Sequence, residues 1–129
     1  MATNLLILPR VNLTIEVFTN EDWQDRLAFY DLNGNPISLD GIAFALECRR
    51  HVDDAEALIS ISTDPYDDKT GGDLIIEGDD ENILHIAVPM SKMLRVPWGG
   101  YVFDATGNAD GMQRVILTGT LTVIEGVTR

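Results

Sequence analysis

Apolar and polar residues alternate at every second position along much of this chain, and this pattern constrains the fold more than any other feature. It occurs over residues 13–18, 27–30, 84–88 and 115–123, among other places. A period of two is that of a β-strand with one buried face. Turn sequences separate the short runs, and long helical periodicity is lacking, so the pattern predicts an all-β sandwich or barrel.

The run near the end of the chain predicts a long, half-buried strand. Its threonines at 118, 120 and 122 are expected on the outer face. The inner face is expected to hold Val115, Leu117, Leu121 and Val123.

Several connections have turn chemistry or helical character. Asn33-Gly34 favours a tight reversal, because both residues tolerate positive φ. Residues 106–111 resemble the start of a calcium loop but fit a hairpin turn better. Residues 51–57 fit either a loop or one helical turn, and residues 89–97 fit a single helical turn with Ser91 as its cap.

The segment from Leu84 to Phe103 is the most informative about architecture. A strand, a tight turn and Gly100-Tyr101-Val102-Phe103 match the corner at which an immunoglobulin-like sandwich crosses between its sheets. Tyr101 is the predicted corner tyrosine, with a buried ring and a hydroxyl bonded to upstream backbone. The prediction is one domain, 1–129, an immunoglobulin-like antiparallel β-sandwich with one or two short helical turns and an extended N-terminal arm at 1–10.

Charge and hydropathy limit the partners. The net charge is -12 and the pI is near 4.2, so a phosphate backbone would be repelled and nucleic acid is not an expected partner. Residues 5–8 are apolar but too few for a signal sequence or a membrane span. We expect no membrane partner and synthesis on the cytoplasmic side of the producing cell.

Residues suited to catalysis are scarce. The two histidines, His51 and His85, are the available bases, and no nucleophile elbow or phosphate-binding loop is present. His85 is predicted on the solvated face of its strand, and Cys48 is predicted to be a small buried apolar residue. We predict neither enzymatic activity nor a cofactor.

Acidic residues form weak candidates for a metal site. Asp64, Asp67, Asp68 and Asp73 flank one loop, and calcium binds such carboxylates. Their spacing matches no calcium loop, so a solvated acidic surface is the preferred interpretation, and a docking surface for a basic partner is a further alternative.

Two groups of residues are interface candidates. The apolar run Leu5, Leu6, Ile7 and Leu8 would allow an N-terminal arm to lie along the sheet edge of a neighbouring chain. Trp23 and Trp98 each lie near turn residues; each fits a lid on the core or an anchor in a protein interface.

Two ordered motifs carry a resemblance to a known family. Residues 31–41 have the form Asp-x-x-Gly-x-Pro-x-x-Leu-x-Gly and lead into a strand that ends at Arg49-Arg50. Residues 97–104 have the form Pro-x-Gly-x-Tyr-x-x-Asp, with an additional glycine, Gly100, at a variable position, and Gly119-Thr-Leu-Thr-Val123 precedes Val127-Thr-Arg129. From about Trp23 onward, apart from an acidic insertion at 64–73, the chain resembles small virion proteins of tailed bacteriophages and prophages, and also N-terminal attachment domains of baseplate proteins.

The resemblance implies a structural or attachment protein of the virion, in the tail, the baseplate or on the head surface. Such a protein would be made in the host cytoplasm, incorporated into the particle, and present as a multi-copy oligomer that contacts other virion proteins and copies of itself. The alternative is a soluble calcium- or glycan-binding β-sandwich.

Overall fold

Eight strands form the domain in the computed structural model, which describes residues 3–64 and 71–127. A 3-10 turn at Leu5–Ile7 precedes them, and one short helix, α1, interrupts them. The elements are β1 Val11–Phe18, β2 Trp23–Ala28, β3 Ala43–Arg49, β4 Ile59–Ser62, β5 Asp73–Glu77, β6 Ile83–Val88, α1 Met90–Met93, β7 Gly99–Ala109 and β8 Met112–Ile124.

The strands form two sheets, which we name sheet A and sheet B. Sheet A has the order β1-β8-β7-β3-β4, and sheet B has the order β2-β6-β5. Strands two to eight, taken as B to G of an immunoglobulin domain, give the sheets G-F-C-C′ and B-E-D of that fold. The predicted immunoglobulin-like sandwich is confirmed. Its pairing is not wholly antiparallel, because β1 pairs with β8 in parallel.

An aromatic contact joins the sheets in the core. The Trp23 and Phe103 rings meet edge to face with their centroids 5.7 Å apart. Antibody domains have the second cysteine of their inter-sheet disulfide two residues after the corner tyrosine, which is the position of Phe103 here. Gly119 lies opposite Phe103, and a Cβ there would lie 2.5 Å from the Phe103 ring. Phe103 therefore occupies the position of that cysteine, and its packing requires a glycine on β8.

The corner between β6 and β7 has the contacts predicted from the sequence. Tyr101 is 2% exposed, and its hydroxyl donates to the backbone oxygen of Pro97. The Arg50 guanidinium lies 4.9 Å from the centre of the Tyr101 ring and donates to the Trp98 carbonyl at 3.0 Å. These contacts hold the segment that carries the chain from sheet B to sheet A.

The helical turn in this corner is capped differently from the prediction. Pro89 is the N-cap of α1, and Ser91 lies inside the helix. The backbone N–H of Met90 donates instead to a carboxylate oxygen of Asp22 at 2.6 Å. Ser91 was the wrong choice because the cap comes from a loop distant in sequence.

Two predicted reversals are present. Gly34 has φ +82°, and the Asp31 carboxylate accepts the N–H groups of Asn33 and Asn35 at 2.9 Å each. At the β7–β8 hairpin Asp110 and Gly111 both have positive φ, as a two-residue type I′ turn requires. Residues 106–109 of the predicted turn belong to β7, and residues 51–57 form a loop.

A bulge in β8 changes the predicted inner face of that strand. The register shifts between Ala105 and Thr106, which pair with Leu117 and Val115 and leave Ile116 without an opposite residue. Ile116 and Leu117 are consequently both buried, whereas Val115 lies half-buried. The prediction for Val115 was wrong because a one-residue insertion reverses the face of every residue beyond it.

Residues 3–10 do not form the predicted extended arm. Leu5 and Leu8 are buried in the core of this chain, and the guanidinium of Arg114 donates to the carbonyls of Leu5 and Leu6 at 3.2 and 2.6 Å. Asn4 donates to the Ser38 carbonyl at 2.9 Å. The apolar run fits the edge of its own core, while Leu6 and Ile7 remain exposed.

Candidate protein-interaction face

The solvent side of sheet A forms a broad surface, which we call face A. Successive strand residues point to opposite sides, so the neighbours of buried residues face outward. On β8 these are mainly threonines, and on β7 they include Gly100, whose Cα has open space around it. The strand residues of face A are Asn12, Thr14, Glu16, Phe18, Glu47, Arg49, Gly100, Val102, Asp104, Thr118, Thr120, Thr122 and Ile124.

A depression of about 340 Å³ lies in this surface. Thr118 and Thr120 line it from β8, Asn12 lines it from β1, and Glu47 lines it from β3. Val52, in the loop after β3, contributes an apolar wall. The depression is open to solvent and is lined by threonines together with the longer side chains of Glu47, Arg49 and Phe103, so a convex part of a partner could enter it.

One end of sheet A exposes large apolar side chains. Phe18 is 43% exposed and pairs in register with the half-buried Ile124. Trp98 is 66% exposed and immediately precedes β7, whose first residue pairs with Val123. We call Phe18, Trp98 and Ile124 the apolar end. Trp98 thus remains an interface candidate. Phe18 and Ile124 are further candidates, which the sequence did not reveal because the pairing of β1 with β8 brings them together.

Face A carries a surplus of negative charge. Arg49 pairs with Glu47 at 2.6 Å between a guanidinium nitrogen and a carboxylate oxygen. Glu16 and Asp104 are exposed and have no ion pair with any residue in the described parts of the chain. A partner that covers this face therefore gains by presenting basic groups at its rim.

The solvent side of sheet B, which we call face B, is closed by its own polar contacts. The Arg26 Nε donates to one oxygen of Glu77 at 3.0 Å, and the other oxygen lies 3.2 Å from Nδ1 of His85. The hydrogen bond from Arg26 lowers the pKa of Glu77, and the contact with His85 acts in the same direction. One side chain thus links all three strands of the sheet.

His85 differs from its prediction. It does lie on the outward side of β6, but it is 6% exposed, and its Nε2 has no partner among the described residues. Glu77 of the neighbouring strand β5 contacts the ring, and Arg26 of β2 stands beside it in register. The alternation identifies the side of the sheet but not the long side chains that cover it.

The other predicted sites are separated or buried. Trp23 is 1% exposed and donates from Nε1 to Asp25 at 2.8 Å, so it is a core residue and not an interface anchor. Cys48 is buried as predicted, and burial raises the pKa of its thiol to about 12.

The acidic candidates do not form a metal centre in the part of the chain that the structure describes. Asp67 and Asp68 lie outside the described residues. Asp64 and Asp73 lie within them, where no group of three or more His, Cys, Asp or Glu side chains could hold an ion. No helix across residues 3–64 and 71–127 has the length and apolar character to span a bilayer.

The motif at residues 31–41 has a clear role in the fold. Asp31 caps the reversal, Gly34 has φ +82°, and Pro36 bridges to Tyr30. Leu39 is fully buried, and Gly41 has φ +79°. These positions build the crossing from sheet B to β3, and none of them belongs to face A.

Comparison with known proteins yields structural similarity alone. No protein-family model matches the chain. No curated protein matches it either. Among solved structures, murine CRIg is similar with a TM-score of 0.45 and 11% identity over 88% of this chain and 92% of that one. The RIG-5 IG1 homodimer gives a TM-score of 0.41 and 13% identity over 93% of this chain and 92% of that one.

Proposed function

We propose that this chain is a non-catalytic protein-binding module that docks through face A onto another subunit of a tailed-phage particle. The observation that carries the docking role is the apolar end, where Phe18 and Trp98 are 43% and 66% exposed. Large exposed aromatic residues beside a polar rim are typical of protein interfaces, in which a few such residues supply most of the binding energy.

The charge of face A specifies the chemistry of the partner. The chain has a net charge of -12, and Glu16 and Asp104 lie exposed on this face. The complementary surface is a virion subunit with an apolar pocket for Trp98 and basic residues around it. Such electrostatic complementarity speeds association and weakens as salt is added.

The virion assignment is supported by the sequence resemblance. The motifs at residues 31–41 and 97–104 occur in the order found in small virion proteins of tailed phages. A multi-copy subunit of the tail, baseplate or head surface needs a stable sandwich and a docking surface but no active site. The proposal therefore places the chain in the particle after synthesis in the host cytoplasm.

The virion assignment is tested by mass spectrometry of particles purified on a density gradient from cells that produce the corresponding phage. We expect peptides of this chain at a fixed, multi-copy ratio to the major capsid protein. Its absence from purified particles, with the protein present in the lysate, would refute the virion role.

The docking surface is tested by complementing a deletion of the gene with Trp98→Ala or Phe18→Ala. We expect at least about tenfold less incorporation into particles, because an interface anchor costs about 2 kcal/mol or more when truncated. Leu32→Ala is the matched control, since Leu32 is fully exposed in a loop away from face A. Normal incorporation of both aromatic variants would exclude face A as the docking surface.

A further inference from the structure

Along the open edge of β1, several backbone groups have no hydrogen-bond partner among the described residues. β1 lies at the end of sheet A and pairs with β8 alone among the described strands. At eight residues it is the longest of the four edge strands, and Glu16 is its single charged residue. Natural edge strands are usually short, charged or covered, because an open edge accepts another strand.

The hydrogen bonds around Phe18 identify which groups are free. The N–H of Thr19 donates to the Ile124 carbonyl, toward β8. The N–H and C=O of Phe18 both bond to Glu21, on the side away from β8. Because backbone groups of alternate residues point to the same side, Asn12, Thr14 and Glu16 direct their N–H and C=O groups to the open edge.

We propose that two copies of this chain associate through their β1 edges in antiparallel register, with Thr14 on the two-fold axis. In two antiparallel strands, opposite residues whose N–H and C=O groups face each other exchange two hydrogen bonds. This register pairs Asn12 with Glu16 of the second copy and Thr14 with itself. Three such pairs with two bonds each give about six hydrogen bonds.

A register shifted by two residues is less favourable. It would pair Asn12 with Phe18 of the second copy, whose backbone groups are already bonded to Glu21. The Thr14-centred register pairs every edge residue whose backbone groups are available, and it does not involve Phe18, whose backbone groups are already bonded. It also keeps Glu16 away from its symmetry copy and places it opposite the Asn12 amide, which donates one hydrogen to Thr118 Oγ1 at 2.9 Å and has a second for the carboxylate.

The order of charges along β1 and its apolar side favour antiparallel pairing with a second copy, although the net charges of -12 repel. Arg10 precedes β1, whereas Glu16 and Glu21 lie toward its other end. Antiparallel pairing brings the basic end of each strand to the acidic end of the other. On the inner side Val11, Leu13 and Ile15 are partly buried against the core, and the Thr14-centred register would set them against Val17, Ile15 and Leu13 of the second copy.

The resulting dimer would deepen the proposed function. Because paired residues point to the same side of a continuous sheet, the two copies of face A would lie side by side. Two linked docking faces bind a repeating particle surface more tightly than one. That consequence rests on the proposed function, whereas the dimer itself does not.

Disulfide trapping tests the register directly. Hydrogen-bonded antiparallel residues lie about 5.5 Å apart at Cα, within the range of a disulfide. Thr14→Cys is therefore expected to form a covalent dimer under mild oxidation. Cys48 gives no background because it is buried and the pKa of its thiol is raised to about 12. Gln24→Cys, on the exposed side of the edge strand β2, is the matched control and should remain monomeric.

Sedimentation measurements test the dimer without crosslinking. We expect reversible dimerisation that strengthens with added salt, because each copy carries a net charge of -12. Thr14→Lys places two like charges on the axis and should weaken the dimer at least about tenfold. Gln24→Lys makes the same charge change elsewhere and should not weaken it, and Trp98→Ala should leave it intact even if docking is lost.

Three results would overturn the proposal. One is a wild-type chain that stays monomeric at concentrations up to about 1 mM in high salt. The free energy of association would then be weaker than about 4 kcal/mol. The second is equal crosslinking of the Thr14→Cys and Gln24→Cys variants, which would show random collision. The third is a dimer unaffected by Thr14→Lys, which would place the interface on another surface and would also exclude this register.

Discussion

The two outward faces of the sandwich use their polar residues differently. On face B, Glu77 joins Arg26 and His85 across three strands, and the network covers the ring of His85. On face A the central strands expose threonines and a glycine, and the apolar end is uncovered. On face B the polar groups bond across all three strands and stabilise the sheet. Face A has polar contacts between Arg49 and Glu47 and between Asn12 and Thr118, but they leave the apolar end uncovered and available to a partner.

The largest expected effect comes from the inner side of sheet A. Gly119→Ala would place a Cβ 2.4 Å from the Leu13 carbonyl oxygen and 2.5 Å from the Phe103 ring. We expect a loss of about 3 kcal/mol in the free energy of unfolding, measured with urea. Gly100→Ala is the matched control on the outer side, where a Cβ meets nothing within 4 Å, and it should be neutral or slightly stabilising. Equal stability of the two variants would refute the packing of Phe103 over Gly119.

The second-largest effect on stability is expected on face B, at Glu77. Glu77→Ala leaves the buried His85 ring and Arg26 without their shared partner. We expect the melting temperature to fall by roughly 5 °C. Asp104→Ala removes an exposed carboxylate from face A and should change it by less than about 2 °C. If Asp104→Ala lowered the melting temperature more than Glu77→Ala, the polar residues of face A would contribute more to stability than those of face B.

A smaller effect is expected in the acid range. The folded pKa of Glu77 lies below its usual 4.5, chiefly because of the bond from Arg26, and that of Asp31 lies below its usual 3.8 because of the N–H groups of Asn35 and Asn33. Depressed carboxyl pKa values give stability that is present above the unfolded values and is lost as the pH falls through the folded ones.

The urea midpoint measured from about pH 6 to about pH 3 should therefore fall less steeply for Glu77→Ala than for the wild-type chain. Salt should reduce the difference, because Glu77 is partly exposed. Identical slopes for the two proteins would show that Glu77 gains nothing from its partners in the folded state.

The smallest effect on stability is expected at the apolar end. Trp98→Ala should change the free energy of unfolding by less than about 0.5 kcal/mol, because the side chain is two-thirds exposed. The fluorescence that remains comes from Trp23, which is 1% exposed and should resist quenching by iodide. A strongly destabilised variant would mean that Trp98 belongs to the core and not to a docking surface.

The fold was largely predictable because its signals are local. Alternating residues predicted most of β1, β6 and β8, Asn33-Gly34 and the turn placed within residues 106–111 predicted two reversals, and Tyr101 predicted the corner. Each depends on backbone geometry over a few residues. Predictions failed where the outcome depended on distant segments: the core that receives Leu5 and Leu8, the bulge at Ile116, and the cap that Asp22 gives to α1.

The candidate site was only partly predictable for the same reason. Trp98 could be identified as an interface candidate because it lies among turn residues. Phe18 and Ile124 could not, since they lie more than a hundred positions apart and meet through the parallel pairing of β1 and β8. Trp23 resembled Trp98 in sequence, but it faces the core.

By itself the sequence determined the strands, the main reversals and the absence of recognisable catalytic motifs, because these follow from side-chain period and backbone preference. The tertiary structure alone decided which residues are covered. It buried His85 under a neighbouring ion pair and folded the N-terminal residues onto their own core. It also left the backbone groups of Asn12, Thr14 and Glu16 at an open edge. Burial and edge exposure depend on which strands become neighbours, and that is a property of the whole chain.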